Sequence, residues 1–232
     1  MTFNKLTICI AFGWILAAAT AHATTVVYTD KSTYDAATAA FHAVQTETFD
    51  GVAENTQYAS GTGPLPLTFT YSIPGFLLTV GSGFPTTSGV NFLGLNNATL
   101  TFGDKAFNFG DIFTINFGRT VNAVGLYLVA GDDAMPGDFE LSTSGGVVHN
   151  SGSPLVISPG NNAFFLGLVD PTTGFTSATV RGLVPQDAPG AYLAFTADDI
   201  TSAVGAVPEP GAAALMLAGL GLLAACAARR KF

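Results

Sequence analysis

Between residues 113 and 117 large apolar and small polar side chains alternate one for one, with Phe113, Ile115 and Phe117 on one side and Thr114 and Asn116 on the other. A period of two buries one face of an extended strand and wets the other, which no helix can do. Short β-rich runs recur along the chain at 67–71, 76–80, 98–102, 124–129, 139–143, 164–169, 177–181 and 191–196, with a brief extended piece at 47–50. Gly, Pro, Asn and Asp separate them, Pro74-Gly75 being a turn pair. About ten such strands predict an all-β fold, an antiparallel β-sandwich of jelly-roll type. A β-helix would need a fixed internal repeat, and none is visible. One short helix precedes the strands: Ser32-Thr33-Tyr34-Asp35 reads as a capping box, with Ser32 as N-cap, opening a helix to about Phe41.

Residues 24–206 make one domain of ordinary size. They hold four basic side chains (Lys31, Lys105, Arg119 and Arg181) against fifteen acidic ones, a net charge of −11. Such a surface repels nucleic acid and anionic lipid. Cys9 and Cys226 both lie outside this body, so it has neither a disulfide nor a thiolate nucleophile. Its content of Phe, Val and Leu argues against disorder.

Both ends read as addresses. Residues 1–23 have the order of a signal peptide: Lys5, an apolar stretch at 6–19, then Ala21-His22-Ala23, after which signal peptidase would leave Thr24 first. Residues 207–232 read VPEPGAAALMLAGLGLLAACAARRKF. Pro208-Glu209-Pro210 cannot continue a helix and holds the backbone extended. The 18 uncharged residues at 211–228 are about the minimum for a single transmembrane helix across a core of roughly 30 Å. Arg229, Arg230 and Lys231 would fix its end at the cytoplasmic face of the inner membrane. A permanent anchor would have the same topology without cleavage.

This tail resembles the PEP-CTERM sorting signal of bacterial surface proteins, which membrane proteases called exosortases process. The resemblance implies cleavage near Pro208-Glu209-Pro210 by an exosortase, loss of the span, and a mature product at the cell surface or in the extracellular polysaccharide layer. In the body, the helix at 32–41, Glu47-Thr48-Phe49-Asp50, Phe165-Leu166-Gly167-Leu168 and Asp198-Asp199-Ile200 resemble pieces of the ectodomain common among such sorted proteins. The closing acid pair is also similar to the last strand of jelly-roll carbohydrate-binding modules.

Signatures of catalysis are sparse. The body has two histidines, His42 and His149, placed at a helix end and in a loop, and no G-x-S-x-G, H-E-x-x-H or phosphate-cradling glycine loop. A glycosidase would draw on Glu47, Glu54 and Glu140, whose spacing the sequence does not give. Calcium takes six to eight oxygens. In a jelly roll the first and last strands run side by side, so Asp50, Asp198 and Asp199 are the candidate calcium ligands. The acids of 132–140 (Asp132, Asp133, Asp138 and Glu140) read first as a solvated hairpin loop and second as a cation wrap. Phe belongs to the core by its alternation, leaving Tyr58, Tyr71, Tyr127 and Tyr192 as candidate exposed contacts for sugars. The functional expectation is a non-catalytic, exosortase-processed surface or matrix protein associated with exopolysaccharide. A calcium-stabilised carbohydrate-binding module and a polysaccharide hydrolase are its rivals.

Overall fold

A computed structural model describes residues 24–72, 76–96, 105–183 and 194–205, together with Leu220. The expected leader, the sorting tail and its span, the strand at 98–102, the Pro74-Gly75 turn and Tyr192 lie outside them. Among the described residues no helix is long and apolar enough to cross a membrane.

In chain order the elements are β1 (Val26–Tyr28), α1 (Lys31–Thr38), β2 (His42–Glu47), β3 (Gln57–Tyr58), β4 (Thr68–Tyr71), β5 (Leu77–Ser82), β6 (Asn91–Asn96), β7 (Phe107–Asn108), β8 (Ile112–Val121), β9 (Ala123–Gly131), β10 (Phe139–Thr143), β11 (Gly146–His149), β12 (Leu155–Ser158), β13 (Asn161–Val169), β14 (Phe175–Gly182) and β15 (Ala194–Val204). Among the described residues the strands form two antiparallel sheets. The ten-stranded sheet runs β1-β13-β9-β15-β6-β5-β3, with β12 also on β13 and with β2 and β7 also on β15. The five-stranded sheet runs β11-β10-β14-β8-β4.

Aromatic rings join the two sheets. Phe107 of the larger sheet stacks on Phe113 of the smaller at 4.7 Å, and Phe139 of the smaller meets Phe164 and Phe195 of the larger at 5.6 and 5.2 Å. Each such pair contributes about 0.5–1.5 kcal/mol beyond its buried area. Phe113, Ile115 and Phe117 are buried in this shared core and Thr114 and Asn116 lie on the outer side, as their alternation requires.

The central strands of the larger sheet, β9, β13 and β15, are buried on both faces. Helix α1 covers one part of their outer side. Tyr34, fully buried, lies over two glycines: a Cβ at Gly167 would come 2.7 Å from Tyr34 Cδ2, and one at Gly125 would come 3.1 Å from its Cζ. Tyr34 joins Ala123, Phe165, Val169 and Ala203 in a second, smaller cluster. The helix is capped by Asp30 and not by Ser32. The Asp30 carboxylate accepts the Thr33 N–H at 2.9 Å and the Ser32 hydroxyl at 2.7 Å, while Asp35 pairs with Lys31 at 2.7 Å. Starting at Lys31 puts Tyr34 and Thr38, one turn apart, on the stripe that faces the sheet.

Several boundaries differ from the sequence reading. Strand β15 runs to Val204, past the predicted 196, and His42 opens β2 rather than closing the helix. Strand β6 is not among the expected runs; Asn91, Gly94 and Asn96 interrupt its apolar residues. Gly94 is there because the Lys105 carbonyl lies directly against it, leaving no room for a side chain.

Candidate functional site

Loop 83–90 joins β5 to β6 across the outer side of the larger sheet and is held by carboxylates from two directions. One is Asp50. Strand β2 lies antiparallel to β15, with Glu47 opposite Ile200, so an early strand and the last strand are neighbours. Glu47-Thr48-Phe49-Asp50 then works as a unit. Glu47 Oε1 accepts the Phe49 N–H at 2.7 Å, Phe49 turns through a φ of +62° with its ring buried in the core, and Asp50 swings outward. Asp50 Oδ1 accepts the N–H groups of Val90 and Asn91 at 2.8 and 3.0 Å. Those backbone hydrogen bonds hold its carboxyl below the usual range. Gly89 packs against the carboxylate so closely that any Cβ would displace it.

The other direction is β15. Successive residues of a regular strand face opposite sides. Here the pairing of β15 with β9 shifts between Asp198 and Thr201, and Asp199 has a φ of +51°. This bulge lets both acids reach the same loop while Ala197 and Ile200 both enter the core. Asp198 Oδ2 accepts the N–H groups of Thr87 and Ser88 at 2.9 and 3.0 Å, and Thr87 Oγ1 lies 3.0 Å from it and 2.8 Å from Asp199 Oδ2. Asp198 is fully buried, and burial, with the charge of Asp199 next to it, raises its pKa against the lowering pull of these donors.

Asp50, Asp198 and Asp199 therefore meet on one loop. Ser88 bonds Asp198 through its hydroxyl at 3.1 Å and also acts on Asp50. Among the described residues no group of three or more His, Cys, Asp or Glu side chains lies close enough to hold a metal ion. Backbone donors occupy Asp50 Oδ1 and both oxygens of Asp198, whose Oδ1 accepts the Asp199 N–H at 2.8 Å. A cation would have to be served by Asp50 Oδ2, Asp199 and the hydroxyls of Thr87 and Ser88.

The remaining candidates disperse. Asp138 holds the Met135 N–H at 2.7 Å within its own turn, while Glu140 sits on the smaller sheet, 3.5 Å from Arg181 and 4.0 Å from His149 Nε2. His149 ends β11 instead of lying in a loop, and His42 is far from it in the fold, on the other sheet. Glu54 pairs with Lys105 at 2.6 Å. Tyr58 and Tyr71 are core residues, not sugar contacts. Tyr71 donates to the buried Asp111 at 2.8 Å, and burial pushes its pKa up. Tyr127 is half-buried against Phe165.

Among the described residues the exposed aromatic is Phe84, in the loop held by the three acids, 38% exposed. It borders a recess of about 210 Å³ that Asp133, Asn161 and Thr196 also line. The sequence signal for it is an aromatic set between turn residues, Gly83-Phe84-Pro85, instead of in an alternating strand.

Residues 206–231 match the family profile of the PEP-CTERM protein-sorting motif. This motif is the sorting signal recognised by exosortase, and it marks an exported, sorted surface protein with a C-terminal membrane-associated signal. The match speaks for the tail alone. No curated protein matches the chain. Among solved structures, the crystal structure of the K2 cleaved adhesin domain of Lys-gingipain is similar over 69% of this chain and 99% of that one, at 14% identity and a TM-score of 0.38. That likeness is too loose to bear on fold or activity.

Proposed function

We propose that the chain is an exosortase-processed protein of the cell surface or extracellular matrix, built on a jelly-roll-like β-sandwich, without catalytic activity and working in contact with extracellular polysaccharide. The observation that carries the reading is the sorting motif at 206–231. In this reading signal peptidase releases Thr24 and the span at 211–228 parks the chain in the inner membrane. Arg229, Arg230 and Lys231 fix its orientation, and Pro208-Glu209-Pro210 offers extended backbone to the exosortase. Mass spectrometry of the cell-derived product tests it. The expected C-terminus lies near Pro208-Glu209-Pro210, and a product still ending in Phe232 overturns the processing. A hydrolase needs two carboxylates facing each other at roughly 5–9.5 Å. Glu47, Glu54 and Glu140 are each engaged with a different partner, which supports a binding or structural role instead.

A second reading is a calcium-stabilised carbohydrate-binding module. What favours it is the convergence of Asp50, Asp198 and Asp199 on residues 87–91, with Asp198 fully buried beside a like charge. A divalent cation relieves such repulsion. Melting with calcium and with a chelator checks it: a calcium-dependent rise in Tm is expected, and equal melting temperatures remove the ion from the account.

A further inference from the structure

We propose that the recess beside Phe84 binds one ring of a neutral hexose polymer and that an adjoining shelf takes the next unit. The inference rests on the reading that the protein works in contact with extracellular polysaccharide, and it names the site and the sugar class.

The recess lies on the outer side of the larger sheet, between loop 83–90 and the end of β9. Thr196 pairs with Val129 and Asn161 with Gly131, which places these residues in adjacent rows of one surface. Phe84 is anchored by an edge-on contact to the fully buried Phe92, with centroids 5.7 Å apart. Thr196 is 2% exposed, lines the recess, and its hydroxyl has no hydrogen-bond partner. Buried hydroxyls are almost always paired, so an orphan one at the wall of a recess points to a missing partner. Asp133 folds its carboxylate back over Gly131, where a Cβ would lie 2.5 Å from Oδ1, and it accepts no hydrogen bond from the described residues. Asn161 gives one N–H to the Pro159 carbonyl at 3.3 Å and keeps its other N–H and its carbonyl for a ligand.

These groups select the ligand. Asp133 only accepts, whereas Asn161 and Thr196 both donate and accept. An ammonium group only donates and would leave the donors of Asn161 and Thr196 unmatched. A phosphate mainly accepts, and a uronate adds a carboxylate to its ring hydroxyls; both Asp133 and the net charge of −11 on residues 24–206 repel either anion. A neutral sugar ring donates and accepts around its rim and offers a C–H face to an aromatic side chain. The recess, at about 210 Å³, is below the roughly 300–1,000 Å³ of clefts for drug-sized ligands, which suits a single ring. Phe84 also bounds an open shelf of about 460 Å³ with Pro85, Thr86, Val90 and Ile157. Two hollows that share one aromatic wall fit consecutive units of a polymer better than a free monosaccharide.

The test is an array of neutral hexose polymers, N-acetylhexosamine polymers and uronate polymers, probed with the full chain in detergent and with Phe84→Ala, Asp133→Asn and Thr196→Val. Thr196→Val keeps the volume and removes the orphan hydroxyl, so its Tm is expected to hold or rise while binding falls. The expected result is saturable binding to neutral polymers, weakened about tenfold by each substitution. Wild-type binding that all three variants retain overturns the site and leaves the polysaccharide reading standing. Failure of the wild type to bind any polymer overturns both. A preference for uronates overturns the proposed sugar class and, with it, the assignment of this recess.

Discussion

The outer sides of the two sheets are built by opposite rules. On the smaller sheet the outer side is bare among the described residues. Thr70, Thr114, Thr179 and Ser142 face one another across β4, β8, β14 and β10, with Thr68, Asn116 and Ser177 in the next row. On the larger sheet it is covered, by α1 at one end and loop 83–90 at the other. Its strands answer with glycines under Tyr34, an aromatic layer, and a bulge that turns Asp198 and Asp199 toward the loop. A bare face asks only for polar side chains at every second position. A covered face must match what lies on it, so each residue there has a specific neighbour to lose.

Truncating the residue that docks the helix breaks this contrast most directly. Tyr34→Ala removes a fully buried ring from the second cluster and is expected to cost about 3–5 kcal/mol in urea unfolding. A cost under about 1 kcal/mol would mean that α1 is not held to the sheet by this contact. Tyr34→Phe sharpens the point: the hydroxyl it deletes is buried without a hydrogen-bond partner, so stability is expected to hold or rise. Gly167→Ala approaches the same contact from below. Its Cβ meets Tyr34 Cδ2 at 2.7 Å and Phe165 Cε1 at 2.9 Å, and the overpacking is expected to cost about 1–3 kcal/mol.

The same contrast explains what the amino-acid sequence discloses. Strand β8 is legible because only one of its sides is buried, and Phe113, Thr114, Ile115, Asn116 and Phe117 spell out the period of two. Strands β13 and β15 are buried on both sides, so their residues run apolar without alternation and their ends blur. Asp50, Asp198 and Asp199 can be named from the expected pairing of the first strand with the last, although β2 and not β1, which pairs with β13, lies beside β15. Their partner cannot, because Thr87 and Asp198 are 111 residues apart and the link is made through backbone N–H groups that any sequence possesses. Phe84 is hidden for the same reason. Its exposure depends on where the loop is pinned, and the pins are distant acids.

Within the covered face the two pins differ in their response to acid. Asp50 has a depressed native pKa, so its contribution to stability is present above the unfolded carboxylate value and is lost as pH falls through the native one. Asp198 has a raised native pKa, so its contribution is present in full below the unfolded value and is lost as pH rises through the native one. From about pH 3 to about pH 7 the cost of Asp50→Asn is therefore expected to grow and that of Asp198→Asn to shrink. Urea melts at several pH values check the two slopes. Slopes of the same sign would show that burial does not separate the two arms of the loop.

The smallest effect belongs to the bare face. Thr114 Oγ1 and Thr179 Oγ1 lie 3.2 Å apart across neighbouring strands. Thr114→Val removes that bond where water can replace it, and valine suits a strand as well as threonine does. Cross-strand pairs of this kind contribute about 0.2–1 kcal/mol, and the loss is offset by the gain in apolar packing, so stability is expected to stay within about 0.5 kcal/mol. A markedly larger loss on the processed, cell-derived protein, absent from the purified chain, would show that something covers this row of hydroxyls in place. The smaller sheet would then present a second binding face, and the rule that separates it from the larger sheet would hold only for the isolated molecule.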